Sequence, residues 1–493
     1  MPSPRSTPLP WLVASALLLG CRAAEPVPDE TTPFDVPEAF SGAEPDIPEP
    51  DLVGWWSRFG DDELDAMVGR VLTNNYDLRA TTARLESARA QARIAGAALY
   101  PQLSAGANAG RNRQNFVGFP IPGGEEDVLS TTIDNYGVSL DVSWELDLWG
   151  KLDARAKAAG ADFRATEANW HQARLSLAGQ TVKTWLALAE AREQRAVAQT
   201  LVTSFEQTTG VMRDRFQRGR MAPLDLQLAE SQLAGARAQV AIWDETIERV
   251  QRSLEFLLGE YPDGDLALPD ALPPLPERVP AGLPARLLER RPDLIAAEER
   301  LRARSFSLYA ARKDLYPSLS LTGSAGRRSA EIGDVADPAF DIWSWAANLA
   351  VPIFQGGRLE AAIDSADAEA EAALYDWSQS LLAAFVEVET ALAVEESLAR
   401  REAELTVAAR TSASARTLSE ERYFAGRSDI LAVITARQQA IDSERALLSA
   451  RREYLELRVD LYLALGGGFD AAEPQAPPTE DPSADAAAAP GDR

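Results

Sequence analysis

The chain has 493 residues, 75 acidic against 49 basic, and its net charge of −26 argues against binding nucleic acid or anionic lipid headgroups through a basic surface. One histidine, His171, and one cysteine, Cys21, exclude disulfides within the chain, cysteine clusters and multi-histidine metal sites. No nucleophile–base pair or phosphate loop has meaningful spacing, so we expect no enzyme, catalytic residue or metal site. No apolar run reaches the roughly 18 residues of a membrane-spanning helix, so any membrane span requires strands.

Residues 1–20 have the features of a lipoprotein signal peptide. A short apolar run (WLVASALLLG) ends at Cys21, and LLGC resembles a bacterial lipobox, whose cysteine is acylated after cleavage. This resemblance implies a covalent diacylglycerol and an N-acyl lipid on Cys21, and we expect no cofactor. An ordinary cleaved signal peptide with an incidental cysteine is the alternative. The resemblance to lipoproteins also implies that Arg22, which follows the cysteine, favours the outer membrane. We predict that residues 21–60 form an N-terminal anchor and arm.

The chain is internally duplicated. YPQLS at 100–104 returns as YPSLS 216 residues later, and GKLD at 150–153 returns as GRLE 207 residues later. Each half therefore follows one plan of helix, strand, strand, long helix, tight turn and helix, as expected for a duplicated module of several elements. The predicted divisions are repeat 1 at 61–259, an equatorial linker at 260–292, repeat 2 at 293–468 and a disordered tail at 469–493.

Four strands are predicted, two in each half. From residue 136 to 148 the even positions are apolar and the odd ones glycine, serine or acidic, which suits lipid on one side and water on the other. A solvated β-sandwich face is the alternative. The predicted strands are 101–115, 131–148, 317–330 and 340–354. Four strands cannot close a barrel, and lipid tolerates no open edge, so several copies must pool their hairpins.

Long helices follow the strands. Residues 151–218 and 358–425 each contain 68 residues without proline, enough for roughly 100 Å of helix. Dense alanines along them favour close side-by-side packing. A glycine turn ends each helix, and return helices are predicted at 222–258 and 428–465. We expect these turns to lie far from the strands.

Several motifs together are typical of one family. They are Trp55-Trp56 with Phe59, residues 75–78, the two Tyr-Pro strand starts, LWGK at 148–151 and two Arg-aromatic-x-x-Gly turns. On these motifs the chain resembles TolC-family outer-membrane factors, in the OprM/NodT-like lipoprotein branch. The resemblance implies a mainly α fold with a β membrane part, in which three chains form a 12-stranded β-barrel continuous with a long periplasmic α-helical barrel.

The resemblance also implies function and partners. Such proteins are lipid-anchored in the outer membrane, extend into the periplasm, and form a homotrimeric exit duct that passively passes small molecules. The duct docks through a periplasmic adaptor to an inner-membrane RND-type transporter. The alternatives are the outer-membrane channel of a type I protein secretion system and a structural envelope lipoprotein.

Site residues follow from the same resemblance. The predicted adaptor-docking tips are Arg218, Gly219, Gly426 and Arg427. The predicted periplasmic gate comprises Asp225, Tyr423 and Asp429, with Asp225 and Tyr423 aligned to residues whose hydrogen bond holds TolC closed.

The chain departs from the family at its constriction. Ala432 and Thr435 stand where relatives have acidic residues, so an acidic ring is not expected at that depth. Leu431, Ile434 and Phe424 are the candidates for an apolar closure instead.

Overall fold

The computed structural model describes residues 40, 52–116, 129–267, 269–276, 278 and 290–467. The predicted signal peptide, Cys21 and the predicted tail lie outside the described residues. So do most of the predicted N-terminal arm and parts of the predicted equatorial linker.

The described chain is mainly helical, with one small sheet. In chain order the elements are α1 (Asp62–Asn74), α2 (Tyr76–Ala97), β1 (Gln102–Phe116), β2 (Leu129–Leu146), α3 (Lys151–Gln217), α4 (Pro223–Leu258), α5 (Pro292–Lys313), β3 (Ser318–Ser329), β4 (Asp341–Ala350), α6 (Arg358–Phe424) and α7 (Ile430–Ala464). Short 3₁₀ turns cover Trp55–Phe59, Ile332–Ala336 and Pro338–Phe340. None of the described helices is both long and apolar enough to cross a membrane.

Two details differ from the predicted plan. The first repeat opens with two helices, because Asn75 interrupts the helix: its side chain donates to the Leu257 carbonyl at 2.9 Å and accepts from the Leu78 amide at 3.0 Å. β4 stops at Ala350 instead of the predicted 354, and Pro352, which has no N–H to donate to a strand ladder, lies just beyond it.

The chain divides into two compact units. One comprises Leu85–Thr166 with Ala297–Trp377 and contains the sheet; the other contains the described parts of Thr32–Arg84, Glu167–Ala296 and Ser378–Arg493. Each unit draws on both sequence repeats. The duplicated halves are therefore interleaved and do not form separate globular domains.

The sheet is antiparallel with strand order β1-β2-β3-β4. β2 and β3 join the two repeats, with Val142 opposite Gly323. On either side Leu103 lies opposite Val142, and Gly323 lies opposite Trp345. Because side chains alternate between the two faces of a strand, these residues share one face of the sheet.

In the helical unit, the aromatic motif near the start of the described chain is buried. Trp55 and Phe59 have no exposed surface, and the Trp55 ring stacks on Tyr462 of α7 with centroids 5.1 Å apart. Asp61 then caps α1 by accepting from the amides of Glu63 and Leu64, and its second carboxylate oxygen accepts from Trp185 Nε1 at 2.8 Å. This segment thus anchors α1 to α3 and α7.

Candidate functional site

One face of the sheet is open and mainly apolar, with charged residues, among them Arg111, Asp134 and Arg327, only at its loop end. Its strongly exposed large side chains include Leu103 at 64 %, Trp343 at 76 %, Trp345 at 75 % and Leu349 at 60 %. The opposite face carries mainly serine, asparagine, threonine, glycine and acidic residues. Each large apolar side chain kept in water forfeits about 1.5–3 kcal/mol of burial free energy, so this face requires an apolar environment such as lipid.

Both edges of the sheet are open as well. In the part of the chain that the structure describes, β1 pairs only with β2, and β4 only with β3. All ten residues of β4 are exposed. Unpaired backbone N–H and C=O groups are costly in lipid, so each edge requires a further strand.

The Leu-Trp-Gly-Lys and Tyr-Pro motifs meet where strands give way to helices. The Trp149 ring lies 5.3 Å from that of Tyr316, and Trp149 Nε1 donates to the Pro317 carbonyl at 2.7 Å. Lys151 at the start of α3 donates to Glu145 of β2 at 2.6 Å. These contacts attach the first repeat's strand–helix junction to the second repeat.

The two long helices end in matching turns. Gly219 (φ 68°) and Gly426 (φ 70°) adopt the left-handed conformation that glycine tolerates best. The Arg220 amide donates to the carbonyl of Arg215 at 2.9 Å, and the Arg427 amide does the same to Arg422 at 2.8 Å, which is the Schellman pattern. Arg218, Gly219, Gly426 and Arg427 are all exposed, and their role in adaptor docking stays a prediction.

The return helices begin differently. α4 has proline at its first position, and the preceding Ala222 offers no side-chain cap. At the equivalent position before α7, Asp429 accepts from the Ala432 amide at 2.9 Å. Asp429 is therefore a helix cap in this structure, and its predicted part in the gate stays a prediction.

A small apolar cluster joins the two turns. Met212, Leu226 and Ala229 are buried in it, and Met221, Tyr423 and Ile430 pack against them. The Arg215 guanidinium also lies 6.0 Å from the Tyr423 ring centroid. The structure thus places Tyr423 against the first helical hairpin, which α3 and α4 form.

Asp225 lies in the first turn of α4 and is half-buried. Its carboxylate has no hydrogen-bond partner among the described residues. The hydrogen bond to Tyr423 that the resemblance implies is therefore not formed within this chain, and the gate role of Asp225 stays a prediction.

The two residues that replace the acidic positions expected from the resemblance lie in an open groove between α6 and α7. Ala432 and Thr435 line it together with Ala415 and Leu431, and Leu431 is 64 % exposed. Ser412, Asp429 and Gln439 also line the groove, so its surface is mixed in polarity, and an apolar closure stays a prediction.

A buried clamp near the turns, formed by Arg437, Glu420 and Thr208, was not predicted from the sequence. Arg437 of α7 is 5 % exposed and donates to Glu420 of α6 at 2.6 Å and to Thr208 of α3 at 2.9 Å. Its guanidinium also lies 5.6 Å from the Phe205 ring centroid. The spacing of Val433, Arg437 and Ala440 along one helix face is the sequence pattern that points to burial here.

Two further buried arginines hold the helices elsewhere in the helical unit. Arg458, 2 % exposed, donates to Glu395 at 2.5 Å. Arg291 contacts Asp293 and Glu387, each at 2.7 Å. Burial alone would lower the pKa of the Arg291 guanidinium, but the hydrogen-bonded carboxylates outweigh burial and raise it.

Comparison with known proteins agrees with this geometry. A family model described as outer membrane efflux protein matches residues 67–260 and 283–467. Outer membrane protein OprJ of Pseudomonas aeruginosa is 34 % identical over 424 residues, covering 85 % of this chain and 87 % of OprJ.

Solved structures share the fold. The outer membrane channel CmeC of Campylobacter jejuni superposes with a TM-score of 0.82 at 25 % identity, covering 90 % of this chain and 96 % of CmeC. The open state of the MtrE outer membrane channel of Neisseria gonorrhoeae gives 0.76 at 29 %, covering 89 % and 97 %. The chain therefore belongs to the outer membrane efflux protein family and has the duplicated, mainly helical fold of TolC-type efflux channels of the outer membrane.

Proposed function

We propose that the protein is the exit duct of a tripartite efflux system, in which small molecules received from an inner-membrane RND-type transporter and a periplasmic adaptor leave the cell. The observation that carries this proposal is the four-stranded sheet with one apolar face and two open edges. Relatives named as outer membrane proteins of efflux pumps support it, among them a toluene efflux pump protein of Pseudomonas putida.

The duct requires several copies of the chain. Single-chain bacterial barrels start at about eight strands, and the described part of this chain contributes four, so at least two copies are required. The resemblance to TolC-type trimers favours three copies and twelve strands. The serine-, threonine- and acid-bearing face then lines the pore, and the apolar face meets lipid.

The two Schellman turns are the proposed docking points. Arg218, Gly219, Gly426 and Arg427 are exposed there and offer donors to an adaptor. Closure depends on the contact between the turns through Tyr423 and on Asp225, which has no hydrogen-bond partner within its own described chain and is available to a neighbouring copy. A hydrogen bond to such a charged group contributes about 1.5–3 kcal/mol, which adaptor binding can offset.

Cys21 is the proposed anchor. Lipid on this residue would hold the N-terminus at the membrane. Mass spectrometry of the purified protein tests the modification, since an unmodified cysteine or a chain cleaved without lipid contradicts it.

The duct itself is tested by conductance in planar bilayers, with the native mass measured in the same detergent. We expect a mass of three chains and small, cation-preferring conductance steps. A protein with the mass of one chain and no conductance would contradict the duct and favour the structural envelope lipoprotein.

Neighbouring residues of β4 provide a matched pair of variants. Leu349 is on the apolar face and Asn348 on the other. Leu349→Lys places a charge against lipid, which costs about 2–4 kcal/mol near the bilayer midplane, whereas Asn348→Lys faces the pore. Only the first should abolish insertion, and equal insertion of the two variants would contradict the assignment of the faces.

A further inference from the structure

The internal repeat determines how the open edges can meet. Within the chain, β2 of repeat 1 pairs with β3 of repeat 2. By the repeat, β4 is equivalent to β2 and β1 is equivalent to β3. Pairing of β4 with β1 of a second copy is therefore the same junction, and this inference rests on the multi-copy duct proposed above.

The sequence offsets apply to the strands. Positions in β2 and β4 are 207 residues apart and those in β1 and β3 are 216 apart. The two β-hairpins, β1–β2 and β3–β4, test this equivalence independently. Gln102 is opposite Ser143 in the first, and the equivalent residues Ser318 and Ala350 are opposite each other in the second.

The offsets convert observed pairs into pairs between copies. Val142 opposite Gly323 becomes Leu349 opposite Ala107. Applied to the whole strand, the ten residues of β4 lie opposite residues 106–115, which are all within β1. No residue of β4 is left without a backbone partner.

The same register places exposed tryptophans of β4 opposite arginines of β1. Val138 opposite Arg327 becomes Trp345 opposite Arg111, and Tyr136 opposite Ser329 becomes Trp343 opposite Arg113. All four residues are on the apolar face, where both indoles are about three-quarters exposed and the Arg111 side chain is 76 % exposed.

The chemistry of these pairs is favourable. Arg111 lies 3.3 Å from Asp134, and Arg113 donates to Ser130 at 3.0 Å. These contacts use N–H groups in the guanidinium plane and leave the faces of the guanidinium open to an indole. Arginine over tryptophan is the preferred cation–π pair, and a covering indole also shields the charge from lipid.

In the proposed duct, β4 of one copy meets β1 of the next, and we infer that in this register Trp345 and Trp343 pack on Arg111 and Arg113 of the second copy. A slip by one residue would turn both indoles to the pore face. A slip by two would leave one of the two indoles without an arginine opposite it.

Disulfide formation tests the register. Leu349→Cys combined with Ala107→Cys should, on oxidation, convert the monomer band of a denaturing gel into linked multimers, since directly opposite Cβ atoms lie about 4.5–5.5 Å apart. Leu349→Cys with Ala105→Cys or with Ala109→Cys is displaced by two residues and should leave mainly monomer. Each single variant retains Cys21 and reports any link through that residue.

The native mass before oxidation separates the two proposals. A three-chain mass without linked bands in the matched pair, or with stronger links in a displaced pair, overturns the register and leaves the duct. A one-chain mass removes the duct and the register with it.

A second measurement does not depend on cysteines. Trp345→Ala and Arg111→Ala should each lower the temperature at which the oligomer dissociates, and the double variant should lower it by less than the sum. Trp345→Ala with Arg113→Ala, a displaced pair, should be additive. Additive losses for Trp345 and Arg111 would overturn their contact.

Discussion

The two helical hairpins contain the same ion pair with its charges exchanged. In the first, Arg213 of α3 lies 2.8 Å from Glu230 of α4, with side chains 53 % and 39 % exposed. At the equivalent positions, 207 residues later, Glu420 of α6 lies 2.6 Å from Arg437 of α7, with side chains 26 % and 6 % exposed. Among the described residues, only the second pair contacts the other helical hairpin, through the hydrogen bond from Arg437 to Thr208 of α3.

Duplicated positions therefore contribute differently to the free energy of unfolding, according to how far their surroundings bury them. An exposed pair contributes about 0–1 kcal/mol, because water already solvates both charges. Breaking a buried pair costs about 3–5 kcal/mol, because one charge is left without a partner. The first helical hairpin (α3 and α4) is thus stabilised by a surface ion pair. The second (α6 and α7) is stabilised by the buried clamp, which also contacts α3.

Removal of the clamp should have the largest effect. Arg437→Ala leaves the Glu420 carboxylate and Thr208 without their partner, so we expect a loss of about 3–5 kcal/mol, measured as faster hydrogen exchange in α6 and α7. The matched control, Glu230→Ala, should lose at most about 1 kcal/mol. Equal effects at the two positions would contradict the comparison.

The next largest effect is expected at the N-terminal caps of α7 and α4. Asp429→Ala removes the cap of α7 and should cost about 1 kcal/mol, detected as faster exchange of the first amides of that helix. Ala222→Asp creates the missing cap at the equivalent position before α4 and should slow exchange there. If the first change leaves the exchange of α7 unaltered, the observed cap contributes nothing.

Asp225 and Ala432 form the matched pair for the gate, since they occupy equivalent positions of the two repeats. Asp225→Ala should raise single-channel conductance several-fold with little loss of stability, because the carboxylate has no partner within its described chain. Ala432→Asp should restore an acid and lower conductance. Unchanged conductance in Asp225→Ala would remove that residue from the gate.

The smallest effect concerns Glu193 of α3. Burial raises the pKa of its carboxyl group, against the Leu272 amide and Arg451, which lower it. The folded state therefore binds this proton more tightly than the unfolded state, and the stability it contributes is lost as pH rises above about 4.3.

Glu193→Gln should accordingly stabilise the protein slightly at pH 7 and make no difference well below pH 4, as measured by thermal unfolding. The amide oxygen can still accept from the Leu272 amide, 3.4 Å away in the wild type. A gain at low pH and none at neutral pH would contradict the assigned direction.

The fold could be predicted far better than the site. Two-residue alternation in β2 and the proline-free helices are local patterns, and strands and helices follow local backbone and side-chain preferences closely. The break at Asn75 was not predictable in the same way. It depends on the Leu257 carbonyl, which is 182 residues away in the chain.

Four features were predictable from residue spacing and backbone conformation alone: the duplication, the two-sided strands, the need for further copies and the two glycine turns. The interleaving of the repeats and the contacts of Arg437 with Glu420 and Thr208 followed only from the tertiary structure. These contacts depend on which distant segments pack together, and an arginine within a helix has the same local pattern whether water or a carboxylate accepts its hydrogen bonds.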